Sequence, residues 1–98
     1  MYLKIHKSYR TVVALCDAEL LGKRFEQDIF QLDIRENFYK GDKLTEEQVI
    51  HILSKYVVED ATFNIVGPKA VKAAEKAGII KSEEVSTIQG IPFTLILI

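Results

Sequence analysis

The sequence predicts a single α+β domain over residues 1–98: a two-layer sandwich in which two main helices cover one face of a mixed β-sheet. The chain length of 98 residues is that of one domain. Strand-like alternation of apolar residues is concentrated before residue 35, and two helical patterns follow between residues 45 and 78. An apolar strand ends the chain, so the N-terminal hairpin and the C-terminal strand are expected to share the sheet.

Two strands open the chain and are expected to form a hairpin. Residues 2–6 alternate between apolar and polar side chains, and residues 11–16 are apolar and β-branched. The residues between them do not form a strong turn pair, so two registers are open. One register places Leu3 and Ile5 on the same face as Val12, Ala14 and Cys16. The other pairs them with Val13 and Leu15.

The next segment predicts a helical turn, a strand and a loop. Asp17 can cap the free N–H groups of a turn that Gly22 ends in a left-handed conformation. Residues 23–28 are mostly polar and predict no strand, whereas residues 29–34 alternate and predict the third strand. Residues 38–42 predict a loop that carries an aromatic pair and a turn glycine.

Two helices and a final strand complete the pattern. The run from Thr45 to Gln48 is a capping box that opens the first helix. Residues 61–66 predict a short strand or an irregular buried segment. Pro68 suits the first position of a second helix that Gly78 ends. Residues 93–98, after a bend at Gly90 and Pro92, are apolar on both faces, which predicts a strand that is central or covered on both sides.

Composition excludes several classes of protein. Hydrophobic residues make up 48% of the chain, so it is not disordered, and its net charge of −1 gives no overall attraction to nucleic acid or to anionic membranes. A single cysteine cannot form an internal disulfide. The N-terminus lacks the pattern of a signal peptide, and the longest apolar run is too short to span a bilayer. We therefore expect a cytoplasmic protein without a membrane partner.

Candidate catalytic residues are few. Cys16 stands at the end of a strand before a helical turn, where a thiol pKa can fall, with Asp17 beside it. The adjacent carboxylate opposes a thiolate, and the favoured interpretation is a buried structural cysteine followed by an N-cap. His6, His51 and Cys16 lack the close spacing of zinc ligands, so neither a metal nor another cofactor is predicted.

Candidate binding residues lie in two groups. Gly67 opens the second helix, and Lys69, Lys72 and Lys76 follow along one stripe, so a phosphate at the helix start could meet free N–H groups and ammonium charges. The N-terminal hairpin contributes Lys4, Lys7 and Arg10, and Tyr39 adds an aromatic contact in the following loop. A solvated helix face and a simple strand-to-helix turn are the competing interpretations of these same residues.

Five short runs occur in a characteristic order along nearly the whole chain: Val13-Ala14-Leu15-Cys16-Asp17, Glu19-Leu20-Leu21-Gly22-Lys23, Phe38-Tyr39-Lys40-Gly41, Ala61-Thr62-Phe63-Asn64-Ile65-Val66-Gly67 and Gly90-Ile91-Pro92. Together they resemble an archaeal family of short proteins catalogued as domain of unknown function number 424. The resemblance implies an archaeal, cytoplasmic α+β domain and no assigned activity.

The chain departs from the family pattern at two positions. Tyr9 stands where a turn glycine is expected, and Phe93 follows Pro92 where a histidine is expected. The second departure argues against a catalytic or metal-binding role at that position. The sequence hypothesis is a non-enzymatic module that binds RNA or a protein of an RNA-handling complex. The alternatives are a small enzyme, using Cys16 or an anion site over residues 67–72, and a homodimer that pairs an exposed apolar strand.

Overall fold

In the computed structural model, which describes residues 1–7, 9–57 and 61–97, six strands form one mixed sheet and two form a separate hairpin. The elements in chain order are β1 (Tyr2–His6), β2 (Thr11–Cys16), β3 (Arg24–Gln27), β4 (Phe30–Asp33), α1 (Glu36–Tyr39), β5 (Asp42–Lys43), α2 (Glu46–Tyr56), β6 (Ala61–Val66), α3 (Pro68–Lys76), β7 (Ser86–Ile88) and β8 (Ile91–Leu97). Short 3₁₀ turns lie at Ala18–Leu20 and Ser82–Glu84.

The strands of the main sheet lie in the order β5-β1-β2-β6-β8-β7. β2 runs parallel to β6, and the other pairs are antiparallel, so the predicted mixed sheet is confirmed. In the N-terminal β1–β2 hairpin, Leu3 pairs with Leu15 and Ile5 with Val13. The observed register is therefore the second of the two predicted, in which Leu3 and Ile5 share a face with Val13 and Leu15. β8 lies between β6 and β7, as its apolar sequence predicts, and residue 98 lies outside the described residues.

One face of the sheet is covered by α2 and α3. The buried core on this side includes Leu15, Phe63 and Ile65 from the strands, together with Val49 and Leu53 from α2. α2 begins as predicted, with a capping box in which Gln48 N–H donates to Thr45 Oγ1 at 3.3 Å and the Gln48 side chain accepts from Thr45 N–H at 2.9 Å. The predicted layer of two helices on one face is therefore confirmed.

The second face is covered in part by residues 18–41, here called the cover segment. Ile34 and Tyr39 from this segment pack on Ala14 and Cys16 of the sheet. Within it, residues 24–27 form β3, although the sequence predicts no strand there. β3 lacks an apolar alternation because both of its faces are largely exposed to solvent and need no apolar side chains. Antiparallel pairing with β4 holds it in place. Of the predicted loop over residues 38–42, only residues 40 and 41 are irregular: residues 38 and 39 end α1, where Tyr39 packs into the core, and Asp42 begins β5.

The cover segment leaves part of the second face open. Residues Val12, Thr62 and Asn64 are half-buried on this side, and the Leu95 side chain is 65% exposed. We call these four residues the open half of the sheet. The sequence predicts a last strand that is central or covered on both sides, and at Leu95 the second side has no covering layer. Among the helices described for residues 1–7, 9–57 and 61–97, none is both long and apolar enough to cross a membrane.

Candidate functional site

Asp17 joins the end of β2 to the start of α3. Its side chain is buried, and its carboxylate accepts hydrogen bonds from the backbone N–H groups of Lys69 at 3.1 Å and Ala70 at 2.7 Å. These N–H groups belong to the first turn of α3 and have no partner inside the helix. Asp17 therefore caps α3. Its side chain makes no capping hydrogen bond to the turn Ala18–Leu20, so the cap predicted there is wrong.

This contact removes the premise of the predicted anion site at the start of α3. The prediction requires open N–H groups after Gly67, and the carboxylate of Asp17 already occupies those of Lys69 and Ala70. A phosphate at this point would also meet the negative charge of Asp17 at short range. The positive end of the α3 dipole therefore already interacts with a carboxylate of the same chain. The binding role of Gly67 stays a prediction without this geometric support.

Gly67 is required by the same contact. Its φ of +107° is a backbone conformation that residues with a side chain rarely adopt. A Cβ atom added at this position would also lie 2.5 Å from Cγ of Asp17. The glycine therefore lets the carboxylate approach the helix end. Gly67 allows the chain to pass close to Asp17. This agrees with the competing interpretation of Gly67 as part of a tight strand-to-helix turn.

Cys16 is buried, as the sequence predicts, and lies beneath the cover segment. Burial, with a smaller contribution from the charge of Asp17, raises the pKa of its thiol to about 11. Burial also raises the pKa of Asp17, against the lowering effect of its two N–H donors. Cys16 is therefore a thiol at neutral pH and supplies no thiolate nucleophile. Within the part of the chain that the structure describes, no group of three His, Cys, Asp or Glu side chains could hold a metal ion.

The lysines of α3 lie close to carboxylates. The Lys69 ammonium is 3.6 Å from Glu19, and the Lys76 ammonium is 2.7 Å from Glu46. The hydrogen bond from Lys76 lowers the pKa of Glu46, and the charge of Lys72 acts in the same direction. The stripe predicted from the sequence is present on the helix, but its positive charge is opposed by these neighbours.

Two cations of the β1–β2 hairpin, Lys4 and Arg10, lie on the opposite side of the sheet from α3. By register, Lys4 shares the face of Tyr2 and of the buried Cys16, and its ammonium donates to the Asn37 carbonyl at 2.8 Å. The Arg10 Nε–H donates to Thr62 Oγ1 at 3.2 Å. Lys7 is exposed after the end of β1. The sequence prediction groups the hairpin cations with the α3 lysines, but the sheet separates Lys4 and Arg10 from those lysines.

Tyr39 is not available as a surface contact. Its side chain is 6% exposed, and burial raises the pKa of its phenol to about 12. Its neighbour Phe38 packs edge-on against Tyr39 and stacks on His6 with ring centroids 4.6 Å apart. The aromatic pair of the predicted loop therefore fills the space between the cover segment and the sheet. This corrects the assignment of Tyr39 as a binding residue.

The open half brings together residues that the sequence analysis does not single out. Asn64 pairs with both Ala14 and Leu95, and Thr62 pairs with Val12, so the four open-half side chains point to the same side across three adjacent strands. Arg10 joins them through Thr62. The alternation of polar and apolar residues in β6 is the one sequence signal of this surface. Its exposure depends on where the cover segment ends.

Comparison with known proteins places the chain in a family. The family model described as "Protein of unknown function (DUF424)" matches residues 6–98. The fold is also similar to a solved structure, "Crystal structure of an uncharacterized conserved protein from Methanopyrus kandleri", with a TM-score of 0.88 and 27% sequence identity, covering 97% of this chain and 88% of that chain. No curated protein matches the chain. Because the family model spans nearly the whole sequence, the chain belongs to the DUF424 family, whose function is unknown.

Proposed function

We propose that this protein is a non-enzymatic module of the archaeal cytoplasm that binds single-stranded RNA on the open half of its sheet. The observation that supports the proposal most is the combination of an uncovered sheet surface with cations at its border. Val12, Thr62, Asn64 and Leu95 lie side by side, and Arg10 reaches this surface through Thr62. The α3 lysines, which the sequence favours, contribute less because carboxylates stand beside them.

The charges at the strand positions of this face also support the proposal. By register, Lys4 and Lys43 point to the same side as the open half, and at the strand positions of this face that the structure describes there is no Asp or Glu. A protein with a net charge of −1 can attract a polyanion only through such a local imbalance. The phosphates of a bound strand would therefore lie toward the β1–β2 end of the sheet.

The chemistry of the open half suits unpaired bases. Leu95 and Val12 offer apolar surface for base faces, and the Asn64 amide can both donate and accept hydrogen bonds. Single-stranded RNA is the form whose bases can lie flat on a sheet, because a duplex hides them. A duplex would present mainly phosphate to this surface, and the few cations there would hold it weakly.

A second candidate is a protein partner, such as a component of an RNA-handling complex. The observation that favours it is the tip of the β3–β4 hairpin, where the Ile29 side chain is 92% exposed and Phe30 beside it is 63% exposed. Exposed aliphatic and aromatic side chains next to each other are typical of protein interfaces. The homodimer predicted from an apolar strand stays a prediction, since among the described residues β7 pairs only with residues 91–93, the first part of β8.

The test compares two triple variants that each remove three positive charges. The sheet variant carries Lys4→Gln, Lys7→Gln and Arg10→Gln, and the helix variant carries Lys69→Gln, Lys72→Gln and Lys76→Gln. Binding to single-stranded RNA is measured across a salt series. Each phosphate contact contributes about 0.7 to the slope of log affinity against log salt. We expect the sheet variant to lose about 2 units of slope and the helix variant to keep the wild-type slope.

Two results would overturn the RNA proposal. Wild-type protein without salt-dependent RNA binding would refute it outright, and a slope lost in the helix variant alone would refute the choice of face. Recovery of a partner protein from native extracts after RNase treatment, abolished by Ile29→Ser, would support the protein candidate instead. Ile29 is almost fully exposed, so this substitution is not expected to disturb the fold.

A further inference from the structure

A cleft of about 280 Å³ lies between the tip of the β3–β4 hairpin and the β7–β8 pair. Its lining includes Asp28 and Phe30 from the hairpin, and Ser86, Thr87 and Phe93 from the sheet. Phe93 and Leu95 are two residues apart on β8 and therefore point to the same side. We call this space the hairpin cleft, and it lies directly beside the open half.

The two walls of the hairpin cleft are tied together. The Gln89 backbone N–H donates to the Gln27 side chain at 2.9 Å, and the Gln89 amide donates to the Glu26 carbonyl. Both turns contain a residue in the left-handed conformation, Asp28 with φ +57° and Gln89 with φ +51°. Because these contacts link the turns directly, the cleft is formed before any ligand binds, which lowers the entropic cost of binding.

We infer that the hairpin cleft binds one unpaired nucleobase that carries an exocyclic amino group, an inference that rests on the proposed RNA-binding function. Phe30 and Phe93 are aromatic side chains on which a base can stack. The Asp28 carboxylate can accept a hydrogen bond from the amino group of cytosine or adenine. Uracil presents a carbonyl oxygen at the equivalent position, which a carboxylate repels.

Size and charge also favour a base over a larger ligand. The cleft volume of about 280 Å³ lies just below the range for ligand pockets, about 300–1,000 Å³, so the cleft has room for one planar ring system. The charge of Asp28 disfavours a phosphate inside the cleft. The sugar and phosphate would then remain outside, directed toward the open half.

The experiment measures binding of fluorescent oligoribonucleotides of about eight residues, composed of cytidine, adenosine or uridine alone, by anisotropy. We expect the cytidine and adenosine oligomers to bind at least about 5-fold more tightly than the uridine oligomer, as one added hydrogen bond to a charged group implies. Asp28→Gly removes the carboxylate without backbone strain at its positive φ, and the preference should disappear. Asp28→Ala is less suitable because its Cβ disfavours that φ.

A matched pair of substitutions tests stacking. Phe30→Ala should weaken binding of all three oligomers by about 5-fold or more, because a stacked base is lost. Ile29→Ala, at the exposed neighbour that does not line the cleft, should change affinity less than about 2-fold if the base binds in the cleft.

The outcomes separate the two proposals. Equal affinity for the three oligomers, unchanged by Asp28→Gly and Phe30→Ala but weakened in the Lys4, Lys7 and Arg10 variant, would overturn the hairpin cleft inference and leave the proposed function standing. Absence of binding to every oligomer at low salt would overturn both. A preference for uridine would also refute the inference, because it reverses the role assigned to the Asp28 carboxylate.

Discussion

The two faces of the sheet differ in how completely the chain covers them. On the helical face, α2 and α3 bury the strand side chains, and the exposed lysines of α3 stand beside glutamates. On the second face, the cover segment buries Cys16 and Val66 but leaves Val12, Thr62, Asn64 and Leu95 accessible. A strand side chain that points to the first face contributes to stability. One that points to the open half stays accessible to solvent.

This difference shows why the lysine stripe of α3 does not by itself define a strongly positive surface. Charged residues on a helix are conspicuous in the sequence, but their local field depends on neighbours from other elements. Glu19 and Glu46 come from distant parts of the chain, and they oppose the charge of Lys69 and Lys76. The open half carries fewer charges, and its strands bring no carboxylate to the described positions of that face.

The largest expected effect comes from the same substitution made on each face. Leu15→Ala removes a fully buried side chain from the helical face and should lower the free energy of unfolding by about 2–5 kcal/mol. Leu95→Ala removes a side chain that is 65% exposed and should cost less than about 1 kcal/mol. Urea denaturation measures both. Similar losses at the two positions would show that the open half is covered in solution.

A smaller effect is expected at the junction of β2 and α3. Asp17→Ala leaves the N–H groups of Lys69 and Ala70 without their acceptor, so the free energy of unfolding should fall by about 2–3 kcal/mol. Asp17→Asn is the control, since its amide oxygen can still accept one of the two hydrogen bonds and the loss should be smaller. Thermal or urea unfolding measures both variants. A loss below about 0.5 kcal/mol for Asp17→Ala would contradict the assignment of this residue as the cap of α3.

The smallest effect concerns the covered part of the second face at alkaline pH. Folding raises the pKa of Cys16 from 9.0 to about 11 and that of Tyr39 from 10.0 to about 12. The folded state therefore holds protons that the unfolded state has released. Stability is complete below about pH 9 and falls as the pH rises toward 12, by about 2–3 kcal/mol across the Cys16 range.

Denaturation at a series of pH values measures this loss, and Tyr39→Phe is the control that removes the phenol while keeping the ring. The variant should lose less stability than wild type between pH 10 and 12. A stability that stays constant to pH 12 would show that water reaches Cys16 and Tyr39 and that the cover segment does not seal this part of the sheet.

Most of the regular structure follows from local patterns in the sequence. The alternation in β1, the capping box at Thr45 and the left-handed glycines at Gly22 and Gly78 each have a local physical cause, and each occurs as predicted. β3, α1 and β7 are not predictable in this way. Each is four residues or shorter and depends on pairing or packing with a segment that is distant in the sequence.

The candidate site was less predictable than the fold. Gly67 and Lys69 suggest an anion site because a free helix N-terminus attracts anions, but the sequence does not show that the carboxylate of Asp17, some fifty residues earlier, reaches that position. Likewise, an apolar last strand predicts a strand that is central or covered on both sides. The sequence does not reveal that the covering layer stops before Leu95.

The sequence by itself determined the fold class, the order of the main strands and helices, and the structural place of Cys16, because periodicity, capping and glycine conformation are local properties. The tertiary structure alone decided which face of the sheet is open and which charges are opposed. It also decided what occupies the start of α3. These three features depend on contacts between segments far apart in the chain, such as Asp17 with Ala70 and Lys76 with Glu46, and no local pattern encodes them.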